Sequence, residues 1–379
     1  MTIDETITDA TIDATIDATI DETTQTTLED SAARWDVPTP TTTVFDWDYT
    51  GGRDNLLRLY DKGTRNQWVG SDRIDWSIDV DPTNPVGVPD AGIAISDSRF
   101  WPMMTEAQRA EVRRQQLGWQ FSQFLHGEQG ALVCTSKIVS TVPQLDAKFY
   151  AATQVVDEAR HVEVFNRYVH DKLRVTYPIN RNLKTLLDQG LNDARWDFAY
   201  LAMQVIIEGL ALAAFGLIRN MATDPLGRSL LAYVMQDEGR HVMFGRLVLR
   251  DYYPQLSQRE RDEREEFVVE ACYRMRDRFL LEEVWERLDL PVAETVEHVR
   301  NSETQQLFRS HLFSRIVPVL KDIGLWGPQV QNAFIDMGVM GYADADIEEI
   351  VAEDEAIALE FDRERNDHVA ATIELGRDR

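Results

Sequence analysis

The chain has 379 residues, 44% of them hydrophobic, enough to bury a large core as one big domain or two of ordinary size. Its formal charge of −26, from 39 basic and 65 acidic side chains, argues against nucleic acid or an anionic membrane as partner, because both need a basic face. Cys134 and Cys272, its two cysteines, lie in apolar helical patterns and read as free core thiols of a reducing compartment. No secretory leader and no apolar run near the roughly 20 residues of a membrane span are read, so a soluble, cytoplasmic protein is expected.

Residues 1–40 differ from the rest. The stretch "TIDETITDATIDATIDATIDET" is a Thr/Ile/Asp repeat, and residues 1–30 hold nine acids and no Lys or Arg. So little apolar content cannot offset ordering entropy, and 1–40 is expected to be a disordered acidic tail. Ile12, Ile16 and Ile20 recur every four residues, which leaves open an amphipathic segment that docks on a partner. Residues 41–100, rich in Trp, Asp, Gly and Pro, predict an irregular wrap pinned by Trp68 and Trp76.

From about 103 helical periodicity dominates. Helices are predicted near 105–140, 145–174, 183–221, 226–252, 259–287, 293–323, 328–340 and 344–374, with breaks at Pro143, Pro178, Asp224–Pro225, Pro254, Pro291 and Pro318. Strand signals are scarce, so the fold class is all-α. The expected organisation is one domain over 41–379, with a metal-binding core at about 105–252 and accessory helices at 259–374.

"DEARHVEVF" at 157–165 and "DEGRHVMFG" at 237–245 repeat one arrangement. A lone acid precedes each by 30 residues: Glu128 before Glu158, and Glu208 before Glu238. The pattern E-x28-D-E-x-R-H therefore occurs twice, 80 residues apart, as an internal duplication of a helical hairpin. On a helix, Glu158 and His161 share a face, about 4.5 Å apart in rise. A 30-residue interval with a turn near its middle folds back so that Glu128 returns to the height of Glu158 and His161. The second hairpin does the same for Glu208, Glu238 and His241, and pairing the two brings six side chains together.

Four buried carboxylates repel one another and take up protons unless cations lie among them. Two divalent ions cancel four carboxylates, so a dinuclear metal site is the electrostatic condition for this core. Glu-x-x-His on two helices plus one Glu on each of two others is the ligand set of carboxylate-bridged dimetal bundles, and its O and N donors suit iron or manganese. Asp157 and Asp237 are placed to orient the histidine of the opposite hairpin, with Arg160 and Arg240 balancing their charge.

These two D-E-x-R-H segments and their upstream glutamates resemble the ferritin-like diiron-carboxylate superfamily. In motif style they are similar to the hydroxylase subunits of bacterial multicomponent monooxygenases, the ribonucleotide reductase small subunit and diiron N-oxygenases. The resemblance implies a ferritin-like four-helix bundle with additional helices. It also implies two iron ions, with mixed Mn/Fe open, held by Glu128, Glu158, His161, Glu208, Glu238 and His241, and dioxygen activation there. Phe165 and Gly245 stand where the reductase subunit's radical tyrosine would be sought, although Tyr168 lies two turns past His161. Leu212 stands where the hydroxylases carry a threonine, and Val234 where aminobenzoate N-oxygenases carry an extra histidine ligand. The expectation is therefore a branch separate from all three.

Helix phase puts Phe121, Phe124, Leu132, Phe165, Leu212 and Phe215 in one apolar chamber beside the metals, with Gln204 as its neutral polar group. Gly127, Gly130, Gly209 and Gly239 are read as leaving room there. No dinucleotide fingerprint or P-loop occurs, so electrons are expected from an external donor such as a ferredoxin with its reductase. "RMRDR" at 274–278 and "RERDER" at 259–264 are candidate docking clusters. The leading reading is a diiron oxygenase that hydroxylates or N-oxygenates a small organic substrate, with a homodimer left open. Two alternatives stand beside it: a ferritin-like iron-handling or peroxide-scavenging protein, and a radical-generating two-metal oxidase.

Overall fold

In the computed structural model, residues 34–377 are described, with side chains through residue 363. Most of the acidic tail therefore lies outside the described residues. Residues 34–38, the described part of the first of two units, are neither helix nor strand, with Arg34 donating to Asp36 at 3.0 Å.

The second unit, from Thr39, contains no strand among the described residues. After α1 (Asp54–Arg65) come α2 (Glu106–Thr141) and α3 (Leu145–Arg167), which pair as the first hairpin. A short α4 (Arg181–Asn192) leads to the second hairpin, α5 (Trp196–Met221) with α6 (Pro225–Tyr252). Then follow α7 (Gln258–Asp277), α8 (Glu282–Arg287), α9 (Val292–Asn301), α10 (Glu303–His311), α11 (Ile316–Asp322) and α12 (Pro328–Asp336). The chain closes with α13 (Ile347–Arg377), packed along α6.

Local chemistry sets these boundaries. Thr105 and Gln108 form a reciprocal capping box at the start of α2, and Ser257 and Glu260 form another on α7. Asp224 caps α6 through the Gly227 amide, with Pro225 at the first helical position. The predicted helices 183–221, 259–287 and 293–323 are each divided. One break falls at residues 193–195 and another at Leu281, whose φ is 60°.

Two further expectations change. The 41–100 segment contains α1, packed against α3 and α6, so it is not wholly irregular. Helix α5 is long and apolar enough to cross a bilayer, with a mean hydropathy of 2.1 over its most apolar window, contrary to the sequence reading. That window is 83% buried inside the protein, where it forms the central core helix.

Within α5, residues Leu201–Ile207 take a π-helical course that ends directly at Glu208. Such widened turns rotate the side chains that follow relative to a regular helix. The bulge presses on α6 at Gly245, where a Cβ would lie 2.5 Å from that of Gln204. Glycine is required there by the close approach.

Candidate metal centre

The six predicted ligands converge. Glu128 comes from α2, Glu158 and His161 from α3, Glu208 from α5, and Glu238 and His241 from α6, all buried. Two donor groups could each hold a metal ion: Glu128, Glu158, His161 and Glu238 form one, and Glu158, Glu208 and His241 the other. Both histidines turn Nδ1 inward. His161 Nδ1 lies 3.2 Å from Glu128, 3.5 Å from Glu158 and 3.1 Å from Glu238. His241 Nδ1 lies 3.0 Å from Glu158 and 3.5 Å from Glu238. Glu158 and Glu238 thus each lie within 3.5 Å of both histidines.

The outer nitrogens cross between hairpins. His161 Nε2 is 3.1 Å from Asp237, and His241 Nε2 is 3.3 Å from Asp157. Arg160 donates to both aspartates, at 2.9 Å to Asp237, while Arg240 donates to Asp237 and lies 3.8 Å from Asp157. The two arginines therefore offset the two aspartates, leaving the charge of four glutamates.

Electrostatics within the cluster is uneven. Burial, reinforced by Glu238, holds Glu128 well above the ordinary carboxylate range, and burial does the same to Glu208. Burial acts in the same sense on Glu158, but His241 and His161 outweigh it and leave that carboxyl low. Burial opposes protonation of His161 and His241, yet the surrounding carboxylates raise both well above the usual imidazole value. Asp237 is held well below its usual value because Arg240, His161 and Arg160 overcome its burial.

Among the described residues, the buried side-chain atoms without a hydrogen-bond partner include Glu158 Oε2, Glu208 Oε2, both oxygens of Glu238, and His241 Nδ1. Buried polar atoms are rarely left so. Their concentration between two imidazoles, with O and N donors and no thiolate, fits a pair of iron or manganese ions.

Two participants, Gln154 and Gln67, escaped the sequence reading, and Trp68, read there as a pin of the wrap, enters the site as well. Gln154, one turn before Glu158, donates to Glu158 at 2.9 Å and to Glu208 at 2.8 Å; its i, i+4 spacing was the available signal. Gln204 reaches the ligands only through Gln154, at 3.5 Å, and also donates to Thr135. Trp68 and Gln67, from the N-terminal wrap, donate to Asp237 and Asp157 at 2.8 and 2.7 Å. The pinning role expected of Trp68 is thus met at Asp237, whereas nothing in the local sequence marks Gln67.

The predicted chamber is only partly one space. Phe121, Phe124, Phe165 and Phe215 form a continuous aromatic cluster with ring centroids 4.7–6.1 Å apart. Phe124 and Phe215 line a cleft shared with Glu128, Glu208 and Glu238, whereas Leu212 lines a different one with Val242 and Val351. Leu132 is half-buried and lines neither. Of the four glycines, only Gly127 borders the metal cleft, with nothing within 4 Å of its Cβ position. Gly130, Gly209 and Gly239 admit Leu187, Ile316 and Val351 instead. The basic clusters are mostly neutralised: Arg274 pairs with Glu270, Arg276 with Asp277, and buried Arg264 with Asp197.

Fold and site define a helical-bundle oxidoreductase with a carboxylate-and-imidazole site for two metal ions. Within that class, residues 51–324 match the p-aminobenzoate N-oxygenase AurF family, and the chain belongs to it. The match overturns the expectation of a separate branch. It runs through both hairpins, so the core as a whole sets membership, and buried Val234, which offers no donor atom, does not remove the chain from it.

Similar solved structures include three variants of an R2-like ligand-binding oxidase with an anaerobically reconstituted Mn/Fe cofactor. A valine-to-isoleucine variant is 20% identical with a TM-score of 0.44, and a tyrosine-to-phenylalanine variant 20% with 0.45. A glycine-to-phenylalanine variant is 19% identical with 0.46; each comparison covers 74% of this chain and 96% of the other. No curated relative matches the chain in sequence. The protein is a diiron oxygenase that uses dioxygen and an organic substrate.

Proposed function

We propose that Glu128, Glu158, His161, Glu208, Glu238 and His241 bind the iron pair and that the enzyme oxidises a small amine-bearing substrate, by N-oxygenation in preference to hydroxylation. The family's named substrate, an aromatic amine, supports the amine. The single observation behind the ligand assignment is the set of unpartnered carboxylate and imidazole atoms facing one another in a buried core. Bound there, a reduced iron pair supplies dioxygen binding and reductive activation. Asp157 and Asp237 hold the imidazoles in the orientation that turns Nδ1 inward, and Gln154 fixes two of the carboxylates.

The donor is proposed to be a ferredoxin-type protein, since the sequence carries no fingerprint for a nicotinamide or flavin. A homodimer is supported by exposed Val133, Phe149 and Val156 on the outer face of the first hairpin, beside Tyr60. A cytoplasmic location is supported by two free, buried thiols.

Anaerobic ferrous loading tests the function. An oxygenase takes up about two irons per chain. On exposure to oxygen it then converts an aromatic amine to an oxygenated product. Uptake of many irons per chain with no product would replace this reading with iron storage, and a stable organic radical in the resting protein would favour a radical-generating oxidase.

A further inference from the structure

Behind the carboxylates lie Thr135, Gln154 and Gln204, each fully buried and each on a different helix, α2, α3 and α5. They form one line of hydrogen bonds that ends at the metal donors. Gln204 donates from Nε2 to Thr135 Oγ1 at 3.3 Å and to Gln154 Oε1 at 3.5 Å. Gln154 in turn donates from Nε2 to Glu158 Oε1 at 2.9 Å and to Glu208 Oε1 at 2.8 Å. A carboxamide nitrogen carries two hydrogens, so each glutamine uses both of them in these contacts. The direction of the line follows. Were Gln154 to turn its amide over, its oxygen would face two carboxylate oxygens and its nitrogen would face that of Gln204, and both contacts repel. Gln204 therefore fixes the sense in which Gln154 meets the glutamates.

Two buried carboxamides are unfavourable in a helix core unless they are paired, and an apolar residue would fill either position more simply. The backbone is also shaped for Gln204. It lies in the π-helical stretch Leu201–Ile207, and Gly245 on α6 gives it room, since a Cβ there would meet that of Gln204 at 2.5 Å. Widened turns of this kind interrupt the regular helix and recur at functional sites. What the line produces is an asymmetry at Glu208. Its Oε1 is held by Gln154, while its Oε2 has no hydrogen-bond partner. Glu238, which no amide reaches, has both oxygens without one.

We propose that the line Thr135–Gln204–Gln154 positions Glu208 to bind its metal through Oε2 alone, which keeps one coordination position of that metal free of protein atoms. Gln154 is a positioning residue that acts on the ligand, and Gln204 and Thr135 act through Gln154. The proposal rests on the reading that Glu158, Glu208 and His241 hold a metal ion.

The test loads the full-length protein with Co2+ under nitrogen, because the visible absorption of Co2+ weakens as its coordination number rises. The wild type is expected to take up about two Co2+ per chain. In Gln154→Met, Glu208 turns both oxygens to the metal and the absorption per Co2+ falls, with Co2+ content and helicity unchanged. Gln204→Met shifts it in the same direction by a smaller amount. The double variant matches Gln154→Met alone, because residues that act in series do not add. Thr135→Val follows Gln204→Met, and Thr135→Ser keeps the wild-type spectrum, so the outer end of the line carries the test if Gln154→Met does not fold. With iron in place of Co2+, the reaction of Gln154→Met with oxygen slows about tenfold or more, the lower end of the range for a partner of a metal ligand. Spectra of Gln154→Met and Gln204→Met equal to that of the wild type, or additive changes in the double variant, would overturn the positioning line and leave the ligand assignment intact. A wild type that takes up no Co2+ would overturn the ligand assignment itself.

Discussion

Asp237 on the second hairpin lies 3.1 Å from Nε2 of His161 on the first, and it also accepts from Trp68 and both site arginines. The aspartate therefore orients an imidazole whose inner nitrogen faces three glutamates. Removing its charge while keeping its shape, as Asp237→Asn, is expected to weaken ferrous binding about 10–100-fold. An anaerobic metal titration reads this directly; unchanged affinity would mean that the imidazole is held by packing alone.

Ligand removal should act more severely. Glu158 faces both donor groups, so Glu158→Ala is expected to lose most bound metal, and His241→Ala likewise. Elemental analysis of purified protein checks both. Two irons retained in each variant would refute the assignment.

Metal removal should also destabilise the fold. Chelation leaves buried carboxylates to be neutralised by protons, and metal uptake displaces those protons. A metal-free protein melting at the same temperature as the loaded one would contradict the electrostatic role given to the cations.

Away from the metals, Asp146 clamps the N-terminal segment. It accepts from the Arg53 amide at 2.8 Å and from Nε and Nη2 at 2.9 Å. Burial would raise its carboxyl, but Arg53 outweighs this and holds it below the ordinary value of 3.8. Its contribution to stability is therefore full above about pH 4 and is lost as the pH falls through the lowered folded value. Asp146→Asn is expected to cost about 1–3 kcal/mol at neutral pH, the range for a broken charged hydrogen-bond set. The variant should also show a shallower loss of stability on acidification; a parallel acid-denaturation curve would contradict the assignment.

Neither cysteine should be reactive in the folded protein. Burial pushes the Cys134 thiol up to about 12 and raises Cys272 as well. Alkylation at pH 8 is expected to label neither thiol before unfolding and both after. Rapid native labelling of Cys134 would show that the core around Glu158 and Glu208 opens.

The convergence of the six donors was legible in the sequence because their spacing along the chain is fixed. Two equal 30-residue intervals and two Glu-x-x-His spacings determine which side chains share a height and a helix face, whatever the hairpins pack against. The crossed histidine–aspartate arrangement follows from the same duplication.

The cleft obeys no such rule. Leu212 follows Glu208 by one turn of regular helix, yet it faces a different cleft with Val242 and Val351, while Ala211 and Phe215 line the one at the glutamates. Trp68 comes from the N-terminal wrap, and Arg278, which also lines the cleft at the glutamates, from a turn beyond the core, so their places depend on how distant segments pack. The sequence by itself determined the fold class and the six converging donors, because repeats and helical periods are local. Only tertiary structure decided what lies beside them, because that depends on contacts between residues that no spacing relates.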